Sequence, residues 1–533
     1  MKVSVVRRCR LRNYFYLNLY GGKMGNPIQH YDAVVIGAGN GGLTAATKLQ
    51  RSGRKTLLLE RHNIPGGCAT SFIRGDYEFE VALHQLSGLG TDTQPFIMRQ
   101  LFSDLGVLDK VEFVQEHELY RLVVPGQLDT TLPASWKGMM RMLQDDYPAE
   151  REAIERFFDM ASKLTMENFL QLPHCRRAND AAMLQANCPT YLAYGLRPAQ
   201  EVLDEFFADP KLISTIAIYW CYLGVPPSQL PFADLMAMLF AYCTFKPWNI
   251  RGGSQALSSA LIDSFMRAGG EVRFNCGAEK ILTEDSRVVG VRLESGETVT
   301  CDSVISNASP LITYNELLDM AQPPQTVRED FKSRRMGTSA LVIYVGLDCP
   351  PEEAGITTAS TFVGSTTDND AIHQRMSSME KPLFGMVTCY NFVDTKLVPA
   401  GKSLVSLVAL HYGEMWRNVP PEDYLQTKYQ QGELLLQLIE TTFPKIREHI
   451  EELEVATPLT MMRYLNSPDG AIYGFKQNTE DNELFRERLQ GVAGLYSAGS
   501  WVGMGGFQPA YMSGEGTARA ALKYLQSMEA SHV

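Results

Sequence analysis

Tyr31 to Gly42 reads YDAVVIGAGNGG, and the reading of this stretch decides the fold. Tyr31 to Ile36 is short, apolar and β-branched, the composition of a strand buried on both faces of a parallel sheet. The glycine-rich GAGNGG of Gly37 to Gly42 follows at once, then Leu43 to Gln50, good helix formers with apolar side chains on one face. Lys55 to Glu60 (KTLLLE) supplies a second buried strand that ends in an acid. Strand, glycine turn, helix and strand make a complete βαβ unit. In such a unit Gly37 allows the tight turn, Gly39 lets backbone amides approach a pyrophosphate, and Gly42 permits close packing of helix on strand. Asn40 and Gly41 open the helix whose N-terminus faces the phosphates. Glu60 lies 18 residues after Gly42, where a carboxylate accepts both hydroxyls of an adenosine ribose and rejects a 2′-phosphate. A lone GxGxxG would be no more than a glycine-rich turn; strand, helix and acid in the right order make it a dinucleotide site.

Working outward, 533 residues are too many for one core, since single cores stop growing at roughly 250–300 residues. Two domains are expected. With 45% hydrophobic, 10% aromatic and 20% charged residues the composition is that of a globular protein, and a net charge of -11 argues against a nucleic-acid partner, which needs clustered Lys and Arg. The ten cysteines form no CxxC pair and the nine histidines no HxH or HExxH, so neither a metal site nor a disulfide framework is expected, and a reducing, cytoplasmic setting is the simplest. No charge-free apolar run of about 18 residues exists, which predicts a soluble chain or one with at most a peripheral membrane contact. Residues 1–30 carry Arg7, Arg8, Arg10 and Arg12 followed by Tyr14 to Leu17, without an export signal's apolar core. With Met24 just ahead of the first strand, this segment is expected to be a tail or a mis-assigned start; a basic targeting arm is the alternative.

The middle and end of the chain repeat the theme. Gly252-Gly253-Ser254 starts a helix running to about Arg267, followed by strands at Glu271–Phe274, Glu279–Leu282, Val288–Leu293, Thr298–Cys301 and Val304–Ser306. Gly494 to Ala498 reads as a short strand, 499–506 as a glycine-rich loop and Ala510 to Leu525 as a helix.

Taken together, YDAVVIGAGNGGLTAA, LLLERHNIPGGCATSF, RGGSQALSSALIDSFMRAGGEVRFNCGAEKIL, GVRLESGETVTCDSVISNASP and GLYSAGSWVGMGGFQPAYMSGEGTARAAL resemble the phytoene desaturase, carotenoid isomerase and retinol saturase family of FAD-dependent oxidoreductases. The resemblance implies FAD as cofactor and an α/β fold: a Rossmann-like FAD-binding domain of the amine oxidase/phytoene desaturase type, split in sequence, with an inserted α+β substrate domain. The expected division is 31–90, 250–312 and 490–528 for FAD, and 91–249 and 313–489 for substrate. It implies further that Arg61, Gly66, Gly67 and Cys68 run along the dinucleotide, that the backbone near Ala278 contacts the adenine, and that Gly499, Ser500, Gly505, Gly506 and Gln508 surround ribitol and isoalloxazine. Two departures stand out. Cys68 follows the glycine pair where many relatives carry arginine, and Glu80-Val81-Ala82 replaces Asp-x-Gly in the next strand.

The rest of the chain shows no Ser-His-Asp order, no metal ligands and no evident nucleophile, which suits a reaction carried by the cofactor. His84, in FEVALHQLSG between the FAD domain and the pocket, is the candidate for proton exchange near neutral pH, with a structural histidine as the equal alternative. Glu80 reads as a satisfied acid at a domain junction before it reads as a flavin contact, and Cys68 as a small packing residue. Leu212 to Phe245 is crowded with large apolar residues; it can build a pocket for a polyene or fatty chain, form an ordinary core, or dip one face into a membrane. The expected partner is an apolar small molecule or lipid; a second nicotinamide unit is missing, leaving oxygen, quinone or reduced nicotinamide as electron partner. The leading expectation is an enzyme that saturates, desaturates or isomerises carbon-carbon double bonds. The alternatives are a flavin amine oxidase, with Trp501 and Tyr511 offered as the framing aromatics, and a non-enzymatic prenyl-lipid-binding protein on the same scaffold.

Overall fold

The computed structural model describes residues 29–178, 180–480 and 491–531. The expected tail therefore lies outside the described residues, apart from Gln29 and His30. Strand β1 spans His30–Ile36, helix α1 Asn40–Arg51 and strand β2 Thr56–Leu59. From Ala33 onward β1 is buried on both faces, Ala33 and Val35 on one and Val34 on the other, because helices and a second layer cover both sides.

Seven strands form the first sheet, in the order Ala278–Glu284, Arg287–Leu293, Thr298–Ser306, β1, β2, Glu271–Arg273, with Leu495–Ser497 pairing on Thr298–Ser306. Five of its strands run parallel, and the hairpin Ala278–Glu284/Arg287–Leu293 is antiparallel. The expected strands at Thr298–Cys301 and Val304–Ser306 are one continuous strand, which pairs antiparallel with Arg287–Leu293 at its start and parallel with β1 along its length. No glycine or proline interrupts it, so nothing breaks it where the sequence reading placed a gap. The Gly253–Arg267 helix matches the expectation, while the C-terminal helix is longer, Phe507–Ser531.

Three glycines set the spacing around α1. A Cβ at Gly42 would lie 1.9 Å from Gly37 O, and one at Gly514 would lie 2.2 Å from Gly41 O, so strand and C-terminal helix both press on α1 at backbone distance. Gly37 holds φ +91°, the conformation the tight turn requires.

The second sheet also has seven strands, ordered Ile450–Ala456, Ser339–Leu347, Ser403–His411, Phe384–Cys389, Ser360–Gly364, Glu118–Val124, Leu128–Pro133. Leu341, Ile343 and Val345 on one face pack under the Tyr424–Ile439 helix through Leu435, Leu436 and Ile439, while Ala340, Val342 and Tyr344 on the other face join a large helical cap. That cap contains most of Leu212 to Phe245. Ile216, Tyr219, Trp220, Phe232, Leu235 and Leu239 are buried, and no large apolar side chain of the stretch is exposed. A membrane-dipping face built from this stretch is thus corrected: its apolar residues are spent on the core. No helix of the described residues is long and apolar enough to cross a membrane.

Candidate functional site

In a parallel sheet, ligands bind beyond the carboxyl ends of the strands. Here β1 leads into Gly37, β2 into Glu60, Thr298–Ser306 into Asn307, and Leu495–Ser497 ends two residues before Gly499. Ile36 pairs with Ser306 and Ser306 with Ser497, so these ends lie side by side.

Glu60 is buried, with its carboxylate accepting hydrogen bonds from Ala38 N at 2.7 Å and His62 N at 2.8 Å. It is locked against the glycine turn with lone pairs left for a diol. The second glycine pair folds back on the first: Gly66 N donates to Ala38 O at 2.8 Å, and a Cβ at Gly67 would meet Gly39 Cα at 3.4 Å. Arg61 is exposed, and the chain from Arg273 to Cys276 runs beside Glu60, with Glu60 N donating to Arg273 O and Cys276 N to Glu60 O, both at 2.9 Å. Ala278 begins the next strand, two residues after Cys276. Burial pushes the Cys68 thiol up to about 11, so it stays protonated and packs.

The glycine-rich loop at the other end closes over this turn. A Cβ at Gly41 would stand 2.6 Å from Gly499 N, and Gly499 N itself donates to Ser513 Oγ at 3.1 Å. Ser500 and Trp501 lie against Gly474, and Gly505 against Tyr473, again at backbone distance. Ala510 N donates to Gly506 O, so the C-terminal helix starts directly from this loop. Gln508 accepts a short hydrogen bond from Ser87 Oγ, which ties the segment carrying His84 to the same helix N-terminus.

Asn307 escaped the sequence reading. Its Oδ1 accepts from Gly42 N at 3.1 Å, and a Cβ on Gly39, Gly41 or Gly499 would come within 2.6 Å of its amide. The signal was present: a polar residue directly after a buried parallel strand sits at the carboxyl edge where the ligand binds. Replacing Asn307 with alanine removes one hydrogen bond worth about 1 kcal/mol, so FAD should bind roughly 5-fold more weakly without loss of the fold. Flavin fluorescence titration of apoprotein reads this directly.

Do these residues fit FAD? Asn40 Oδ1 is buried at the N-terminus of α1 with no partner, a polar group held in reserve for a ligand. The glycine turns have no room for side chains, and the helix N-termini suit a pyrophosphate and a flavin ring. The fit is good.

The profile of flavin containing amine oxidoreductases matches residues 41–522. The chain belongs to that family. Its cofactor is FAD. Among relatives, the carrot (Daucus carota) prolycopene isomerase is 25% identical over 491 residues, covering 88% of this chain and 76% of that protein. The rat (Rattus norvegicus) all-trans-retinol 13,14-reductase is 27% identical over 498 residues, covering 87% and 80%. The cyclohexylamine oxidase of Brevibacterium oxydans shares the fold at TM-score 0.58, with 14% identity, 94% of this chain and all of that one (100%) covered. The resemblance drawn from the sequence blocks is borne out.

Within this family member, a small recess lies against the flavin loop, lined by Tyr222, Leu223, Asp234, Tyr473, Met504 and Gly505 among others. Tyr222 also stacks on His84, ring centroids 6.4 Å apart. His84 Nδ1 pairs with Thr388 Oγ1 at 2.8 Å, and burial pushes the imidazole down to about 4. The expectation that His84 exchanges a proton near neutral pH is therefore revised: it is a neutral hydrogen-bonding group there. Replacing His84 with glutamine should leave the pH dependence of turnover between about pH 5.5 and 8 unchanged; a lost acid limb would contradict this. The neighbouring Gln85 holds a deeper network, its Nε2 donating to Glu116 Oε2 at 2.9 Å and its Oε1 accepting from Tyr219 OH at 3.2 Å.

Glu80 does not reach the recess. Its carboxylate caps the Gly253–Arg267 helix, accepting from Ser254 N at 2.6 Å and Ser254 Oγ at 2.7 Å. Trp501 packs edge-on against Phe475, whereas Tyr511 is buried against Phe102 in the core of the first sheet. These two aromatics belong to separate clusters and do not frame one site.

Proposed function

We propose that this protein is an FAD-dependent enzyme acting on a carbon-carbon double bond of a bulky apolar substrate, by saturation or cis-trans isomerisation. The observation that carries the reading is the recess beside Gly505, walled by Tyr222, Leu223, Tyr473 and Met504 and reached from the flavin loop. Such a wall binds a conjugated or aliphatic chain by burial of area, at about 25 cal/mol per Å². The names of the two relatives, a carotenoid isomerase and a retinol reductase, support the same substrate class.

When bound, FAD supplies hydride acceptance or donation at carbon. The chain's own residues hold it through Gly37 to Gly42, Glu60, Gly66, Gly67, Asn307, Gly499, Ser500, Gly505, Gly506 and Gln508, orient the substrate in the recess, and exclude water through the buried cap. Its expected electron partner is a quinone, oxygen or reduced nicotinamide.

The test is an anaerobic titration of dithionite-reduced protein with all-trans-retinol and with a cis-polyene. Reoxidation of the flavin with loss of one double bond establishes saturation; isomerised polyene with the flavin still reduced establishes isomerisation. Bleaching of the oxidised flavin by primary amines, with neither polyene reaction, would replace the reading with an amine oxidase. Protein that takes up no FAD would replace it with a lipid-binding scaffold.

A further inference from the structure

Asp234 is the one charged residue in the fourteen-residue helix Phe232–Phe245, FADLMAMLFAYCTF. The other side chains of that helix are explained by core packing; this one is not. It sits in the first turn, yet its carboxyl does not cap the helix, and it makes no hydrogen bond or ion pair among the described residues. It faces the recess that Gly505 and Met504 of the flavin loop also line. Asp234 is half-buried in the wall of the recess and paired with no group among the described residues, so its carboxyl is available to whatever the recess holds.

We propose, resting on the functional reading above, that Asp234 is the residue that delivers a proton to the substrate's double bond. In saturation, one carbon of the bond takes the hydride that the reduced FAD supplies. The π electron pair then forms the second C–H bond with the proton of the Asp234 carboxyl, leaving a carboxylate that water reprotonates. Hydride plus proton adds two hydrogens across the bond, and two electrons leave the cofactor.

Electrostatics agree with the geometry. Burial pushes the Asp234 carboxyl up to about 7, so it holds a proton at and below neutral pH and loses it above. The groups around it do not reverse this. Tyr191, on the turn packed against the helix, feels the Asp234 charge and has its own hydroxyl unpartnered; Arg176 faces Tyr191; Tyr222 and Tyr473 in the recess are held neutral by burial. Lys476 is engaged with Gln229 at 2.7 Å.

The experiment uses FAD-loaded protein, with Asp234→Asn and Asp234→Glu as variants and all-trans-retinol as probe in D₂O and H₂O. Infrared difference spectra come first, because they need no turnover. A protonated-carboxyl band at pH 6 that titrates near 7 and is absent in Asp234→Asn supports the inference; a band absent from wild type overturns it. In single turnover, Asp234→Asn should slow product formation about 100-fold, and Asp234→Glu should restore a rate that falls as pH rises through the acid's pKa. Equal rates and pH profiles in wild type and Asp234→Asn would overturn the inference while leaving the functional reading intact. A wild type that binds FAD and shows the band but neither reduces the probe nor reduces or isomerises any polyene would overturn the functional reading, and the proton-delivery step with it. Unchanged FAD content in both variants separates these outcomes from misfolding.

Discussion

Replacing Gly42 with alanine should abolish FAD binding and leave a chain that folds poorly. The new Cβ would sit 1.9 Å from Gly37 O and 3.1 Å from Gly37 C, and 3.2 Å from Asn307 Cβ. The first obstacle is a carbonyl that cannot swing aside, because Ala38 N, on the same peptide plane, donates to the Glu60 carboxylate at 2.7 Å. Overpacking of side chains costs about 1–3 kcal/mol, and collision with fixed backbone costs more. α1 must lift off β1, which also moves its N-terminus away from Asn307 and Gly499. FAD affinity is expected to fall by at least about 100-fold, roughly 2.7 kcal/mol. Gly53→Ala is the control: Gly53 has φ +84° and nothing within 4 Å of a Cβ, so only a backbone penalty of about 1 kcal/mol applies and FAD stays bound. Isothermal titration with FAD on both variants checks the pair. Near-native binding by Gly42→Ala would refute the close packing described.

The second large effect is expected at Glu80. Its carboxylate accepts from Ala82 N at 3.2 Å, Leu83 N at 2.9 Å, Ser254 N at 2.6 Å and Ser254 Oγ at 2.7 Å, all away from water. Burial raises its pKa, and these four donors offset part of that rise, so the carboxyl is held in place by the fold itself. Glu80→Ala leaves three buried N–H groups unsatisfied, at about 1–3 kcal/mol each, and a destabilisation of roughly 3–5 kcal/mol is expected. Glu80→Gln recovers only part of this, because one amide end presents donors to donors. Denaturant unfolding of the FAD-bound forms measures both. A loss under about 1 kcal/mol for the alanine variant would mean that water reaches these amides.

How legible was this in the sequence? The βαβ unit was fully so, because Tyr31–Ile36, the glycines and Glu60 each follow from local rules: burial of a β-branched run, a positive-φ turn, a carboxylate at a strand end. The structure extends α1 forward to Asn40 and back to Arg51, a matter of end residues. The single strand Thr298–Ser306 was misread as two since its pairing changes partner midway, which only tertiary contact reveals. Asn307 lay in a stretch already quoted, yet its role depends on which strand lies beside β1. Asp234 was harder. It looks like an ordinary first-turn acid until the recess beside Gly505, more than 200 residues away in the chain, is assembled around it. For His84 the sequence left a proton-exchanging and a structural reading equal, because the burial that lowers its pKa is a property of the helical cap.

The contact of Gly41 with Gly499 has a temporal meaning. Synthesis at about 5–20 residues per second separates the emergence of these two glycines by roughly 20–90 s, during which the first βαβ unit exists without its lid. A nascent chain can therefore present the amides of α1 but cannot clasp the vitamin-derived cofactor until translation is all but finished. Cofactor capture becomes a completion signal: polypeptides truncated before Gly499 are expected to be colourless.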